Sequence, residues 1–205
     1  MDKPDGQERR AEPQGRGPGS QLTRAKLMAA AVEVIAEMGW GRVTTRAVAE
    51  RAGLPHGAVS YHFRGKQELL IDACMDAFST AVPFEEFASL SSVSDLIDMI
   101  GGELDRGLGT NPVLSRLMFE AMREAERDDT LRERMGVMMD EYRQVVVATV
   151  RADQQRGAIS AAAPAEGIAL LVTALGDGLF MHTLLDPDLE VARGLEALRA
   201  LLAPN

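Results

Sequence analysis

The sequence predicts an all-α fold, and three observations predict it. Apolar residues recur three and four positions apart along most of the chain, the spacing of one face of a helix. No stretch shows the strict alternation of a half-buried strand. The apolar content, 46% of 205 residues, comes mainly from Ala, Leu, Val and Met, with aromatics at only 4%. Such a composition favours helices over sheets.

Residues 1–20, "MDKPDGQERRAEPQGRGPGS", are rich in Gly, Pro and charge. They hold too little apolar surface to order themselves, so a disordered arm is expected. The alternative is an arm whose Arg9, Arg10 and Arg16 reach a polyanion. A helix over 23–38 follows, with Leu27, Ala30, Ala31, Val34, Ile35 and Met38 on one face and Gly39 as its stop. Thr44 is placed to cap a short helix, "TRAVAERA", that Gly53 ends. Leu54-Pro55 is a turn, because proline disfavours αR in the residue before it. A second short helix runs over 56–62. A fourth, from Lys66 to Val82, carries Leu69, Leu70, Ala73, Ala77 and Phe78 on one side and stops at Pro83. The composition shifts there, and residues 21–82 and 83–205 are read as separate domains. Further helices are expected near 91–108, 112–127, 130–157, 164–184 and 188–202.

The formal charge is −9, unevenly spread. Residues 21–70 hold seven Lys/Arg against four Asp/Glu; residues 71–205 hold eleven against twenty-three. A small basic head on an acidic body argues against nonspecific nucleic-acid binding by the whole surface and permits a local polyanion site. The single cysteine, Cys74, excludes an intramolecular disulfide and any multi-cysteine metal centre. No apolar run follows the charged start, and no stretch reaches the roughly 18 apolar residues of a membrane span. A cytoplasmic protein is expected.

The two short helices at 45–52 and 56–62, joined by a turn containing Gly53, have the spacing of a helix-turn-helix. In that motif the second helix enters the major groove of DNA with its N-terminal residues against base edges. Helix N-termini offer free N–H groups to phosphates, and Tyr61 and His62 can donate to phosphate oxygens. Spacing alone leaves an ordinary helical corner as an equal alternative.

The residues add more. "GWGRVTTRAVAERAGLPHGAVSYHFRGKQELL", residues 39–70, resembles the DNA-binding domain of TetR-family transcriptional regulators. The resemblance lies in Gly39-Trp40, Thr44-Thr45, Val48, Ala49, Ala52-Gly53-Leu54, Gly57, His62-Phe63, Lys66 and Leu69-Leu70, without gaps. It implies that Thr44, Thr45 and Arg46 meet phosphate or a base edge. It implies that Gly57, Ala58 and Tyr61 face the groove, that His56 with Ala58 and Tyr61 sets the sequence preference, that His62 and Lys66 hold phosphates, and that Ser60 stands at a phosphate-contact position. Val48, Ala49, Val59, Phe63 and Trp40 would be packing residues. Pro55, Ala58 and Ser60 depart from the family's usual Ser, Thr or Ser, and Tyr, which bears on the operator sequence rather than on the binding mode.

For residues 83–205 the resemblance is architectural: a helical effector-binding and dimerisation domain. One recognition helix reads few bases, so a homodimer on a palindromic operator is expected, its heads about 34–36 Å apart. "EGIALLVTALGDGLFMHTLL" is apolar nearly all round and must be covered on several sides. Leu175, Leu179, His182, Val191, Leu195 and Leu198 are the candidate interface, with a core helix as the alternative. Asp177-Gly178-Leu179 and "LLDPDLEVA" are similar to the C-terminal segment of the choline-responsive BetI group.

Met99, Met118, Phe119, Met122, Met138 and Phe180, with Met135, Met139 and Met181, are candidates to line an adaptable apolar pocket for a small effector; plain core packing is the alternative for each. Arg116 and Arg123 are read as partners of Glu120 and Glu124 rather than of an acidic effector. The order of residues offers no Ser-His-Asp set, metal triad or Gly-rich phosphate loop, so neither catalysis nor a metal or cofactor is expected. The function implied is a ligand-responsive dimeric repressor. The alternative is a DNA-binding relative without a small-molecule effector.

Overall fold

The computed structural model describes residues 17–82, 84–106, 111–186 and 188–203. Arg9, Arg10, Arg16 and Pro83 lie outside them. Among the described residues the fold has ten α-helices and no strand.

Four helices form the N-terminal head: α1 (Pro18–Met38), α2 (Thr45–Arg51), α3 (Gly57–His62) and α4 (Lys66–Ala81). α1 begins earlier than the apolar pattern, because Pro18 sits in its first turn, where a fixed φ and a missing N–H cost nothing. Its buried face is Leu27, Met28, Ala30, Ala31, Val34 and Ile35. Gly39 ends α1 at φ +81°, a value that disfavours any side chain. A 3-10 turn, Trp40–Arg42, leads to Thr44. The Thr44 side chain caps α2 by accepting from the Ala47 N–H at 3.1 Å. Gly53, at φ +66°, closes α2, and the Leu54 N–H returns to the Ala49 carbonyl at 2.9 Å.

The remaining helices are α5 (Phe84–Ala88), α6 (Val93–Arg106), α7 (Pro112–Ala125), α8 (Asp129–Gln155), α9 (Ala165–Leu185) and α10 (Val191–Leu202). At 27 residues, α8 is about 40 Å long. The short α5 has no counterpart in the sequence reading. It is held from outside: Phe84 and Phe87 meet the Tyr142 ring edge-on at 5.4 and 4.9 Å, and the Tyr142 hydroxyl donates to the Val82 carbonyl. Side-chain caps start α7 and α8. Asn111 accepts from the Val113 and Leu114 N–H groups at 3.1 and 3.2 Å, and Asp128 accepts from Leu131 N–H at 2.9 Å. Asp153, buried on α8, accepts from the Val93 N–H at 2.8 Å and so fixes the start of α6.

Two apolar clusters hold the fold. One joins α1, Trp40, α2, α3 and α4 to Leu117 and Ala121 of α7 and Leu131 and Met135 of α8. It therefore crosses residue 83, and the head is packed onto the body rather than tethered to it. The second joins α5, α6, the far half of α8, α9 and α10. Val191 and Leu195 belong to it, at 7% and 5% exposure. Both were expected at an intermolecular surface. They instead face α6, so the chain's own packing covers them.

α9 corrects a second expectation. It contains an 18-residue window of mean hydropathy 1.7, which is long and apolar enough to cross a membrane. Only 22% of that window is buried within the chain, where α9 packs on α8 and α6. Leu170, Leu171, Met181 and Leu185 stay exposed along it, joined by Leu201 on α10.

Candidate nucleic-acid interface and apolar cavity

Burial sorts the residues of the α2–α3 corner. Val48, Ala49, Val59 and Phe63 point into the first core, and Trp40 is 1% exposed. Thr44, Arg46, His56, Gly57, Ser60 and Tyr61 are exposed on the outer surface; Thr45, Ala58 and Lys66 are half-buried beside them. Tyr61 is 79% exposed, unusual for an aromatic residue, and its ring meets the His62 ring edge-on at 4.9 Å. Among the described residues Lys66 makes no ion pair. Gly57 faces open space: a Cβ there would meet nothing within 4 Å. Folding within the chain therefore gives no reason for glycine at this point.

His62 departs from the expectation of a phosphate contact. Its ring is buried, at 6% exposure, on the inner side of α3. Three residues beyond Val59 on a 3.6-residue turn, it shares that residue's core-facing side.

Charge on this surface is partly committed. The Arg46 guanidinium bonds the Glu50 carboxylate at 2.9 Å, and this bond holds Glu50 below the usual carboxylate range. His56 lies 3.9 Å from the same carboxylate. Exposed pairs of this kind contribute little to stability and exchange readily for other partners. Arg51 is used differently. It bridges Glu33 at 3.0 Å and Glu37 at 2.5 Å on α1 and ties α2 to its support. The Ser60 hydroxyl donates to the Gly57 carbonyl at 3.0 Å.

Behind the head, the body encloses a cavity of about 280 Å³. Met99, Met118, Phe119, Met122, Met138 and Phe180 all border it, as do Met135, Met139 and Met181. Phe119 and Phe180 stack with ring centroids 6.2 Å apart and planes at 19°. Phe119, Met122, Met139 and Met181 are also solvent-exposed, so the cavity opens at that end. Three charged residues also border it: Glu103 and Arg143, which the sequence did not single out, and Asp177, singled out only within Asp177-Gly178-Leu179 and not as a cavity residue. A carboxylate midway along an otherwise apolar helix was the signal for Asp177. Asp177 is exposed on α9, and partial desolvation on its cavity side pushes its carboxyl above the ordinary range. Arg116 does not border the cavity, and Arg123 pairs with Glu120 at 2.5 Å.

The remaining candidates sit on α9 and α10. Leu175 is half-buried, while Leu179 and Leu198 pack against the second core. His182 is exposed rather than enclosed. Cys74 is buried, which pushes its thiol up to about 12 and leaves it unreactive.

Cavity and head are physically joined through α7. Met118, Phe119 and Met122 line the cavity, while Leu117 and Ala121 on another face pack against α1. Glu120 accepts from the Trp40 N–H at 2.7 Å. Gln67 donates to Asp128 at 2.7 Å and accepts from the Trp40 indole at 3.4 Å. Asp72 of α4 bridges Arg24 on α1 and Arg134 on α8, at 2.5 and 2.6 Å.

The chain is similar to known proteins over both parts. Residues 27–73 match the family described as bacterial regulatory proteins, tetR family. Residues 98–204, just over half the chain, match the C-terminal domain of BetI-type transcriptional repressors. The HTH-type transcriptional regulator TtgR of Pseudomonas putida is 27% identical over 179 residues, 82% of this chain and 83% of that protein. A transcriptional regulator from Saccharomonospora viridis, solved in complex with choline, superposes with a TM-score of 0.71 at 20% identity, covering 90% of this chain and all (100%) of that one. A TetR-family regulator from Cytophaga hutchinsonii gives a TM-score of 0.76 at 16% identity, covering 91% and 98%. With a helix-turn-helix head matching one family description and an all-helical body matching the other, the chain belongs to the TetR family of transcriptional regulators.

Proposed function

We propose that this regulator is a dimeric, cytoplasmic repressor that binds a palindromic operator and releases it when a small apolar or amphipathic effector enters the body cavity. The observation that carries this reading is α7. One helix borders the cavity with Met118, Phe119 and Met122 and holds the turn before α2 through Glu120. An occupant that displaces α7 therefore bears on the base of the reading head. Differential binding to two head arrangements is all that release requires, and a coupling of a few kcal/mol changes occupancy severalfold to a hundredfold.

In this reading Thr44, Thr45, Arg46 and Lys66 hold phosphates, while His56, Gly57, Ala58, Ser60 and Tyr61 meet the groove. Dimerisation supports it physically. The exposed apolar residues Leu171, Met181 and Leu185 of α9 and Leu201 of α10 need a cover, and two copies pairing α9 and α10 supply one. The choline found with the Saccharomonospora viridis regulator supports a small-molecule effector in this architecture.

Selection of bound duplexes from a random DNA pool tests the DNA half: a two-fold palindrome is expected, and an asymmetric or absent consensus would overturn it. Titrating small molecules against the selected operator tests the effector half. Release by none of a broad panel would favour a regulator that answers to a protein partner instead.

A further inference from the structure

We infer that Asp72 is a positioning residue for DNA reading: its carboxylate gathers Arg24 and Arg134 into a clasp that sets the tilt of α3 against the body. This deepens the proposed function and rests on α3 being the reading helix.

α3 has only six residues, too few to hold its place by its own hydrogen bonds. Val59 anchors its inner side, and Phe63 closes its C-terminal end at 3% exposure. The Arg24 guanidinium of α1 lies over the Phe63 ring, 4.9 Å from the centroid, within range of a cation–π contact. The same guanidinium donates to Asp72 on α4 at 2.5 Å and to the Met28 sulfur at 3.3 Å. Asp72 and Met28 thus hold Arg24 in place, and Phe63 rests against it.

The other Asp72 oxygen extends the contact into the body. Oδ2 accepts from Arg24, and Oδ1 accepts from Arg134 of α8 at 2.6 Å. These partners lie 48 and 62 positions away, so neither is a pair that one helix forms within itself. The Asp72 side chain is 17% exposed, whereas Asp129, in its same-helix pair with Arg132, is 89% exposed. Water and salt therefore screen the Asp72 contacts less than an ordinary surface pair.

Two guanidinium groups converge on one carboxylate. With its charge present they are drawn together; with that charge removed they repel each other across the head–body joint. One negative charge thus decides whether α1 and α8 close on α4 or spread apart. Beside Arg134 on α8, Met135, Met138 and Met139 border the cavity. The clasp is a line from body to head separate from Glu120, and it reaches the far end of α3 rather than the turn before α2.

The test measures two affinities for each full-length variant at one salt concentration: for the selected operator and for a random duplex of equal length. A changed tilt of α3 lowers the first alone, because random DNA is held through its phosphates. A loss of folded protein lowers both alike. Asp72→Asn, nearly isosteric, should lower the operator-to-random ratio about tenfold, the size of one mismatched base pair, with random-duplex affinity and its salt slope unchanged. Arg134→Gln should lower the ratio less, because Arg24 keeps its carboxylate. The double variant should be no worse than Asp72→Asn alone, because both changes remove one clasp and the second also removes the repulsion. An unchanged ratio in Asp72→Asn overturns the inference. So do parallel losses on both duplexes, an Arg134→Gln ratio equal to wild type, or losses that multiply in the double variant. Should Asp72→Asn not fold, Arg134→Gln decides the matter, since its side chain is 43% exposed and outside the core. If the wild type selects a palindrome and these ratios do not move, the clasp fails and DNA reading stands. If it selects no duplex, both fail.

Discussion

The Glu120 carboxylate accepts a hydrogen bond from the Trp40 backbone N–H at 2.7 Å, across 80 positions of sequence. Trp40 starts the turn that delivers the chain to α2, and Glu120 sits on the helix that borders the cavity. The same carboxylate oxygen lies where a Cβ on Gly39 would approach to 3.2 Å, so the turn is threaded closely past it. Glu120→Ala removes an acceptor from a backbone N–H and a partner from Arg123. It should cost about 1.5–3 kcal/mol, the range for hydrogen bonds to charged groups, read from denaturant midpoints. It should also weaken effector-driven operator release more than effector binding. Equal losses in both would show that the contact supports the fold without coupling the two sites.

Gly57→Ala separates folding from recognition. Nothing inside the chain occupies the space of a Cβ there, and Ala is the better helix former by up to about 1 kcal/mol. The variant should fold with an unchanged or raised melting temperature and bind operator at least about tenfold more weakly, because the added methyl meets the DNA surface. Unchanged affinity in a binding assay would remove this position from the interface.

Tyr61 and Lys66 should fail differently. Tyr61→Ala removes an exposed ring and little stability, yet should weaken operator binding and relax specificity at one base position. Lys66→Ala should weaken binding to all sequences alike and reduce the slope of log K against log salt by about 0.9. Salt titrations on operator and random duplexes distinguish the two.

Leu185 and Leu195 probe the two sides of the C-terminal helices. Leu185 is 85% exposed and Leu195 5%. Leu185→Glu should leave the secondary structure intact and shift sedimentation towards a monomer, with loss of operator affinity. Leu195→Ala should cost about 2–5 kcal/mol, as a buried Leu truncation does, in an unfolding assay.

Asp128 predicts an acid response. The Leu131 N–H at the head of α8 holds its carboxyl below the usual range, helped by Gln67. A pKa lowered by folding contributes stability that is present above the unfolded value, near 3.9, and lost as pH falls through the folded value. Asp128→Ala should therefore cost about 1 kcal/mol at neutral pH, the usual worth of an N-cap. Its stability should fall less steeply than the wild type's below about pH 4, as followed by urea unfolding across pH.

Much of the head was legible in the sequence because its determinants are local. A cap such as Thr44 acts three residues away, a stop such as Gly53 acts through its own φ, and a helical face repeats within a turn. The clustering of Met118, Met122, Phe119 and Phe180 around one cavity could also be anticipated, since thioethers and rings at helical spacing mark an inner face. His62 shows the limit at short range: residue type suggested a phosphate contact, but its register with Val59 turns it inward.

Periodicity states that a face is apolar and is silent on what covers it. Val191 and Leu195 have the pattern of an interface, and α6 of the same chain covers them, leaving Leu171, Leu185 and Leu201 outside. The short α5 exists because Tyr142 waits for it some 60 residues on. Glu120 and Trp40, or Met99 and Phe180 on the cavity wall, meet only once helices distant in sequence have packed. Local residue pattern thus determined every helix but α5, the reading corner and the class of protein. Tertiary packing decided which surfaces remain free and how the cavity reaches the head, because burial and long-range hydrogen bonds depend on neighbours that no local window of sequence contains.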